Sequence, residues 1–178
     1  MPRCKHCKEK FEPARFNQKF CFNPECVKVW VDTEKTKQWK AKKTQLKKEL
    51  MSLQDYLKIA QQVFNKYIRE RDKGMSCISC GNEPMKEGNI DAGHLWSAGG
   101  HSNIRFNEYN VNAQCSRPCN KDKSGDINNY RIQFVKRYSQ EILDQLDSEA
   151  HVVKKWTIEE LVDIIAIYKQ KCKQLTKK

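Results

Sequence analysis

Apolar residues recur at helical spacing in three stretches of this chain, and long polar intervals separate them. In "SLQDYLKIAQQVFNKYIRERDKG", Leu53, Tyr56, Leu57, Ala60, Val63, Phe64, Tyr67 and Ile68 fall on one face, which predicts an amphipathic helix. Ser52 and Asp55 read as a capping pair ahead of it, and Gly74 as its stop. "NNYRIQFVKRYSQEILDQL" carries a second stripe through Tyr130, Phe134, Val135, Tyr138, Ile142 and Leu146, predicting another helix. Its Arg131, Lys136 and Arg137 face either DNA or water. The third helix is predicted from "WTIEEL" onward. There Thr157 and Glu160 make a capping box, and Trp156 with Leu161 make the hydrophobic staple. Leu161, Ile164, Ile165, Tyr168, Cys172 and Leu175 share its apolar face, which assigns Cys172 to a core as an inert thiol.

The N-terminal third is patterned differently. Residues 1–30 hold two short cysteine pairs, with Phe11, Phe16, Phe20 and Phe22 as a modest core and Pro13 and Pro24 in turns. Burial alone does not hold so short a module, so a metal is expected to supply folding energy. From residue 32 to 51, seven lysines between Lys35 and Lys48 meet little apolar material beyond Trp39 and Leu46. This predicts a basic helical connector, either solvated and held by local charge pairs or laid along DNA phosphates. The expected organisation is a zinc module over 1–30, a connector over 31–51 and one domain with flanking helices over 52–178.

Composition sharpens this. Of the 178 residues, 38% are hydrophobic and 31% charged, with a net charge of +12. So lean a core calls for staples, and so basic a chain for a polyanionic partner. An anionic membrane surface also fits the charge, but no apolar run approaches the ~20 residues that span a bilayer. "MPRCKHCKEK" is polar from the start, without a signal-peptide core, and a soluble, intracellular protein is expected.

Eight of the nine cysteines fall into close pairs: Cys4 with Cys7, Cys21 with Cys26, Cys77 with Cys80, and Cys115 with Cys119. A tight turn within each pair aims two sulfurs at one ion, so the pairs predict two tetrahedral zinc sites rather than disulfides. His6, inside the first pair, is a minor alternative ligand.

The second quartet encloses more than a zinc ribbon needs, with thirty-four residues between Cys80 and Cys115. "IDAGH", a bend at Gly99 and Gly100, and "RFNEYNVNAQC" predict a β-hairpin followed by a helix leaving the last cysteine pair. Asp91 and His94 leave the first strand, and Asn120 is expected to open the helix. A carboxylate and an amide oxygen are hard donors suited to Mg²⁺ or Mn²⁺. An imidazole beside them either takes a proton from water or is simply hydrogen-bonded in its loop. His101, past the bend, has no partner at a telling spacing. Together these residues suit metal-dependent hydrolysis of a phosphodiester.

The arrangement resembles the ββα-metal (HNH) nucleases with a cysteine-pinned zinc, in the form nearest recombination endonuclease VII. That resemblance implies an α+β fold with a zinc-pinned ββα-metal core flanked by helices. It implies His94 as general base, Asn110 as the brace of the hairpin loop, and Asp91 and Asn120 as holders of Mg²⁺ or Mn²⁺. Lys121, Lys123 and Arg105 are the candidate phosphate contacts. Across the chain, the N-terminal cysteines, "YIRERD", "CISCG", "DAGH", "RFNE", "CN" followed by "KSG", and "WTIEE" resemble, in that order, the NinG (Rap) recombination proteins of lambdoid phages. That family implies a structure-specific endonuclease acting on Holliday junctions and D-loops in the bacterial host cytoplasm. Possible partners are a second copy, through the C-terminal helix, and host or phage recombination proteins. The alternative is a non-catalytic zinc-containing DNA-binding or recombination mediator protein.

Overall fold

The structure is a computed structural model that describes residues 1–82 and 88–176, the Lys48 side chain excepted. It is a mixed α+β chain that separates into two compact units, Met1–Met51 and Ser52–Lys178.

Unit 1 consists of irregular turns around four sulfurs, followed by helix α1, Pro24–Glu49. The helix starts inside the region read as the zinc module and runs through residue 30 without a break. Pro24 at its first position suits a helix start, because the missing N–H would be unbonded there. Cys26, in the first turn, is thereby aimed at Cys4, Cys7 and Cys21. The phenylalanines do not form the expected core. Phe16 is 95% exposed and Phe22 69%, while Phe11 and Phe20 are only partly covered. A metal on the four sulfurs would tie the turns without these rings. On α1 the expected local charge pairing is limited to Lys37 with Glu34 at 3.9 Å among the described side chains.

Unit 2 is built on helix α2, Leu53–Arg71, and helix α5, Ile158–Leu175. Both carry the expected capping boxes. Ser52 Oγ accepts from the Asp55 N–H at 3.3 Å while the Asp55 carboxylate accepts from the Ser52 N–H at 3.0 Å. Thr157 and Glu160 do the same for α5, and such caps stabilise a helix by about 1 kcal/mol each. The two apolar faces meet in one core around Phe64, Ile68, Leu161 and Tyr168, with Phe64 edge-on to Tyr168 at 4.7 Å. Cys172 lies in this core, as its spacing predicts. The α5 stripe meets α2 through Leu161, Ile164, Ile165, Tyr168 and Cys172, while Leu175 at its end stays 37% exposed.

Strands β1, Ile90–His94, and β2, Val111–Cys115, form an antiparallel hairpin in which Asp91 pairs with Gln114 and His94 with Val111. The Gln114 side chain lies over Gly93, where a Cβ would come within 2.2 Å of Gln114 Oε1. Only glycine permits that approach. Beyond β2 comes a kinked turn, Ser116–Asn120, then helix α3, Ile127–Arg137, and helix α4, Gln140–Ala150.

Two sequence expectations change here. Asn120 ends the turn instead of opening a helix, because the chain first passes through left-handed Ser124, Gly125 and Asp126 before α3 begins. The second amphipathic stripe is two helices, interrupted at Tyr138 and restarted by Ser139, whose hydroxyl accepts from the Ile142 N–H at 3.3 Å. They bury Tyr130, Phe134, Leu143 and Leu146 with Ile78 and Leu95 in a second core.

A polar bolt joins α2 to the hairpin. Asp72, 2% exposed, accepts from Arg71 Nε at 2.6 Å and from the Ala113 N–H at 2.8 Å. Arg71 also donates to the carbonyls of Glu108 and Val111 at 2.8 and 3.0 Å. Removing one member of a buried pair strands the other without solvent. Asp72→Ala is therefore expected to destabilise unit 2 by about 3 kcal/mol, read as a lowered urea midpoint with an unchanged slope.

The sulfurs fit zinc. The ligand atoms of each quartet lie within 4.8 Å of one another, with Cys7 to Cys21 at 3.8 Å and Cys80 to Cys115 at 3.9 Å. A tetrahedron with Zn–S bonds of 2.3 Å has an edge of about 3.8 Å. Without a cation the thiols of a quartet do not ionise together. In the first, burial and neighbouring sulfurs push Cys26 up to about 12. Backbone hydrogen bonds from Cys21, Cys7 and His6 outweigh burial and bring Cys4 down to about 6. His6 Nδ1 sits 3.5 Å from Cys26 Sγ, beside a quartet already complete. The protein is expected to purify with two zinc ions per chain. Cys115→Ser should lose one of them and the cooperative melting of unit 2, whereas Cys4→Ser should lose the other and keep that transition. Metal analysis with calorimetry reads both.

Candidate functional site

The second sulfur quartet fixes where the polar residues of the hairpin lie. Cys115 closes β2 and Cys119 precedes Asn120, so the gathering of the sulfurs goes with a return of the turn's end to the start of β1. Asn120 Nδ2 there donates to Asp91 Oδ2 at 2.9 Å. Lys121 Nζ stands 4.0 Å from the same oxygen, and the Asp91 side chain remains about a third exposed. This is a solvent-reachable carboxylate and amide at one point, drawn from residues twenty-nine apart.

His94 lies three residues further along β1, about 10 Å away between Cα atoms at the strand rise. Alternation places it with Ala92, on the side packed toward α2, while Asp91 goes with Gly93. Its contacts are accordingly different. Gln61 Nε2, from α2, approaches His94 Nε2 at 3.4 Å. Burial, helped by the Arg105 charge, pulls the His94 imidazole down to about 4, so it is neutral at physiological pH. Arg105 Nε is buried without a hydrogen-bond partner, and so is Gln61 Oε1. The hairpin thus presents two halves, an oxygen-donor pair at Asp91 and Asn120 and an imidazole–guanidinium pair at His94 and Arg105.

Asn110 laces the loop between the strands. Fully buried, it donates from Nδ2 to the carbonyls of Trp96 and Ile104 at 3.0 and 3.1 Å and accepts the Trp96 N–H at 2.8 Å. Asn112 does comparable work one layer away, taking the Tyr138 hydroxyl at 2.6 Å and donating to Tyr130 at 3.0 Å. His101 packs its ring against Trp96 at 4.6 Å, with Nδ1 2.8 Å from the Ala150 carbonyl, and belongs to the loop's support.

Lys123, expected to meet phosphate, has its ammonium 3.6 Å from Asp126 and its side chain 55% exposed. Of the doubtful cations on the second stripe, Arg131 is bound to Asp147 and Arg137 donates to the Ser76 carbonyl at 2.8 Å. Lys136 alone among these three is exposed. Sequence reasoning missed Gln61 and the Arg71–Asp72 bolt. Gln61 lies between apolar positions of α2 with no motif around it, and "YIRERD" marks the bolt only as a charged helix end.

No solved structure matches the chain. The family described as "Bacteriophage Lambda NinG protein" matches residues 1–178. Protein ninG of Escherichia phage lambda is 39% identical over 193 residues, covering 97% of this chain and 92% of that protein. Protein ninG of Salmonella phage P22 is 37% identical with 97% and 93% coverage, and that of Escherichia phage 933W is 36% identical with 97% and 92%. Among the described residues no helix is long and apolar enough to cross a membrane. With its eight paired cysteines gathered into two metal-ready quartets and its full length matched, the chain belongs to the NinG family of lambdoid phages.

Proposed function

We propose that unit 2 is a divalent-metal-dependent endonuclease of the ββα-metal (HNH) type, acting on branched DNA such as Holliday junctions and D-loops. The observation that carries this reading is the meeting of Asp91 and Asn120 at 2.9 Å on the zinc-pinned end of the hairpin. A carboxylate beside an amide is a hard donor pair suited to Mg²⁺ or Mn²⁺ and a poor competitor for zinc. The amide now turns its N–H to the carboxylate, and rotation of that group presents its oxygen instead. When bound there, the cation offsets charge on the phosphoryl oxygens and the leaving 3′ oxygen.

The remaining groups act on the substrate. A neutral His94 accepts a proton from water as the water oxygen bonds to phosphorus and the P–O3′ bond breaks. Solvent protonates the leaving oxygen, which gives a 5′-phosphate and a 3′-hydroxyl. The 3.4 Å contact with Gln61 is long, and water can replace it at Nε2. Arg105, with an unpaired buried N–H, suits a phosphate oxygen between the two halves. Lys121 suits the neighbouring phosphate. Asn110 keeps the loop that follows His94 and carries Arg105 in register. The choice of branched DNA follows the resemblance to junction nucleases.

His94→Ala is expected to lower the rate of four-way-junction cleavage in Mg²⁺ by about 10²- to 10⁴-fold, with unchanged zinc content and junction affinity. Full activity in that variant contradicts the base assignment. A wild type that binds four-way, flap and linear DNA with steep salt dependence, yet nicks none in Mg²⁺ or Mn²⁺, identifies a non-catalytic DNA-binding protein instead.

The His94 ring should titrate at about 4 by NMR in free protein, against 6.5 for an ordinary histidine. The unfolded chain takes up this proton near pH 6.5 and the folded chain only near pH 4. Through this group unit 2 is therefore fully stable above pH 6.5 and loses stability as pH falls toward 4. His94→Gln is expected to flatten that loss in pH-dependent urea melts.

A further inference from the structure

Unit 1 has a concave surface that the proposed nuclease chemistry does not use. A cavity of about 610 Å³ is lined by Phe16, Phe22 and Trp30, with Arg15, Lys19 and Glu34 among its polar walls. Phe16 is 95% exposed, Phe22 69% and Trp30 48%. The loop that forms it is preset. Gln18 accepts the Ala14 N–H at 2.9 Å and donates to the Phe20 carbonyl at 2.8 Å, and the Lys5 N–H donates to the Lys19 carbonyl at 2.8 Å. Three aromatic rings are thus held open to solvent by a braced loop and a sulfur quartet, with no need to rearrange before binding.

We propose that this cavity is a stacking site for unpaired bases of single-stranded DNA, with Arg15 and Lys19 meeting the backbone phosphates. Charge decides the occupant. Unit 1 carries fourteen Lys and Arg against six Asp and Glu, and thus most of the chain's net charge of +12. The cavity's own acid, Glu34, lies 3.9 Å from Lys37, while among the described residues neither Arg15 nor Lys19 pairs with a carboxylate. A polyanion whose bases offer free faces uses both the rings and the cations. An apolar peptide leaves the cations unused, and a duplex keeps its base faces stacked away from the rings. A lipid surface wants an apolar stripe along the adjoining helix, and α1 has none. The choice of DNA over RNA rests on the function proposed above, whereas the stacking site itself does not depend on cleavage.

The test uses the full zinc-loaded chain without added Mg²⁺, measuring fluorescence anisotropy at fixed salt. The probes are a fifteen-nucleotide oligothymidylate, the matching oligouridylate, a duplex of about the same length, and vesicles of mixed neutral and anionic phospholipid. Phe16→Ala and Phe22→Ala, both at exposed positions, are each expected to weaken oligothymidylate binding by about 5- to 150-fold. Duplex binding should stay within twofold and zinc at two per chain. Trp30 fluorescence should be quenched by the single strand, with Trp39→Phe leaving that signal in place. Equal losses on single strand and duplex, or none on either, overturn the stacking site. Ring-dependent binding to vesicles alone assigns the surface to lipid, and a ring-dependent preference for oligouridylate overturns the choice of DNA. Junction cleavage is read separately in Mg²⁺, so a chain that cuts nothing but stacks single strands contradicts the nuclease reading and leaves this one standing.

Discussion

Four sulfurs decide the geometry of unit 2. Cys77 and Cys80 precede the hairpin, Cys115 ends its second strand, and Cys119 lies in the turn beyond it, one residue before its end. A two-stranded hairpin is marginal in water on its own. Gathering these residues within 4.8 Å closes the open end of this one and leaves Asn120 with no choice but to face Asp91. The Arg71–Asp72 bolt does the same at the other side, tying β2 to α2 and so to the main core. The hairpin thus has a sulfur quartet fit to hold a metal at one edge and a buried ion pair at the other, with Asn110 stiffening the loop between them.

This division explains how so lean and so charged a chain folds. The apolar material is concentrated where α2 meets α5 and where α3 and α4 close over Ile78 and Leu95. The site lies between those cores, on backbone organised by polar contacts. Its two halves differ in solvent access for the same reason. Asp91 sits with Asn120 beside the turn that carries Cys119 and stays reachable, while His94 sits against α2, where burial keeps the imidazole neutral.

Much of this was legible in sequence because the signals are local. Cysteine spacing gave both quartets, and the Ser52 and Thr157 boxes marked where α2 and α5 begin. The 3.6-residue stripes gave the faces that pair. Other features were not legible. The interruption at Tyr138 leaves the apolar stripe in phase across it, so periodicity reads through a break that contains neither Gly nor Pro. The phenylalanines of unit 1 look like core by type, yet a sulfur quartet makes their burial unnecessary. Gln61 against His94 and Asp72 under Ala113 are contacts between residues thirty-three and forty-one apart, for which a single sequence carries no pattern. Lys123, a candidate phosphate contact, has Asp126 three residues away at 3.6 Å, a pairing that the sequence spacing leaves in plain view.

The account turns on whether Asp91 and Asn120 form a cation site distinct from the zinc quartets. Electron paramagnetic resonance of Mn²⁺ added to the zinc-loaded protein tests this without reference to any substrate. One bound Mn²⁺ per chain is predicted, displaced by Mg²⁺, absent from Asp91→Ala, and present in His94→Ala. Failure of Mn²⁺ to bind, or binding that Asp91→Ala leaves unchanged, would contradict the assignment and with it the metal-dependent chemistry built on this hairpin.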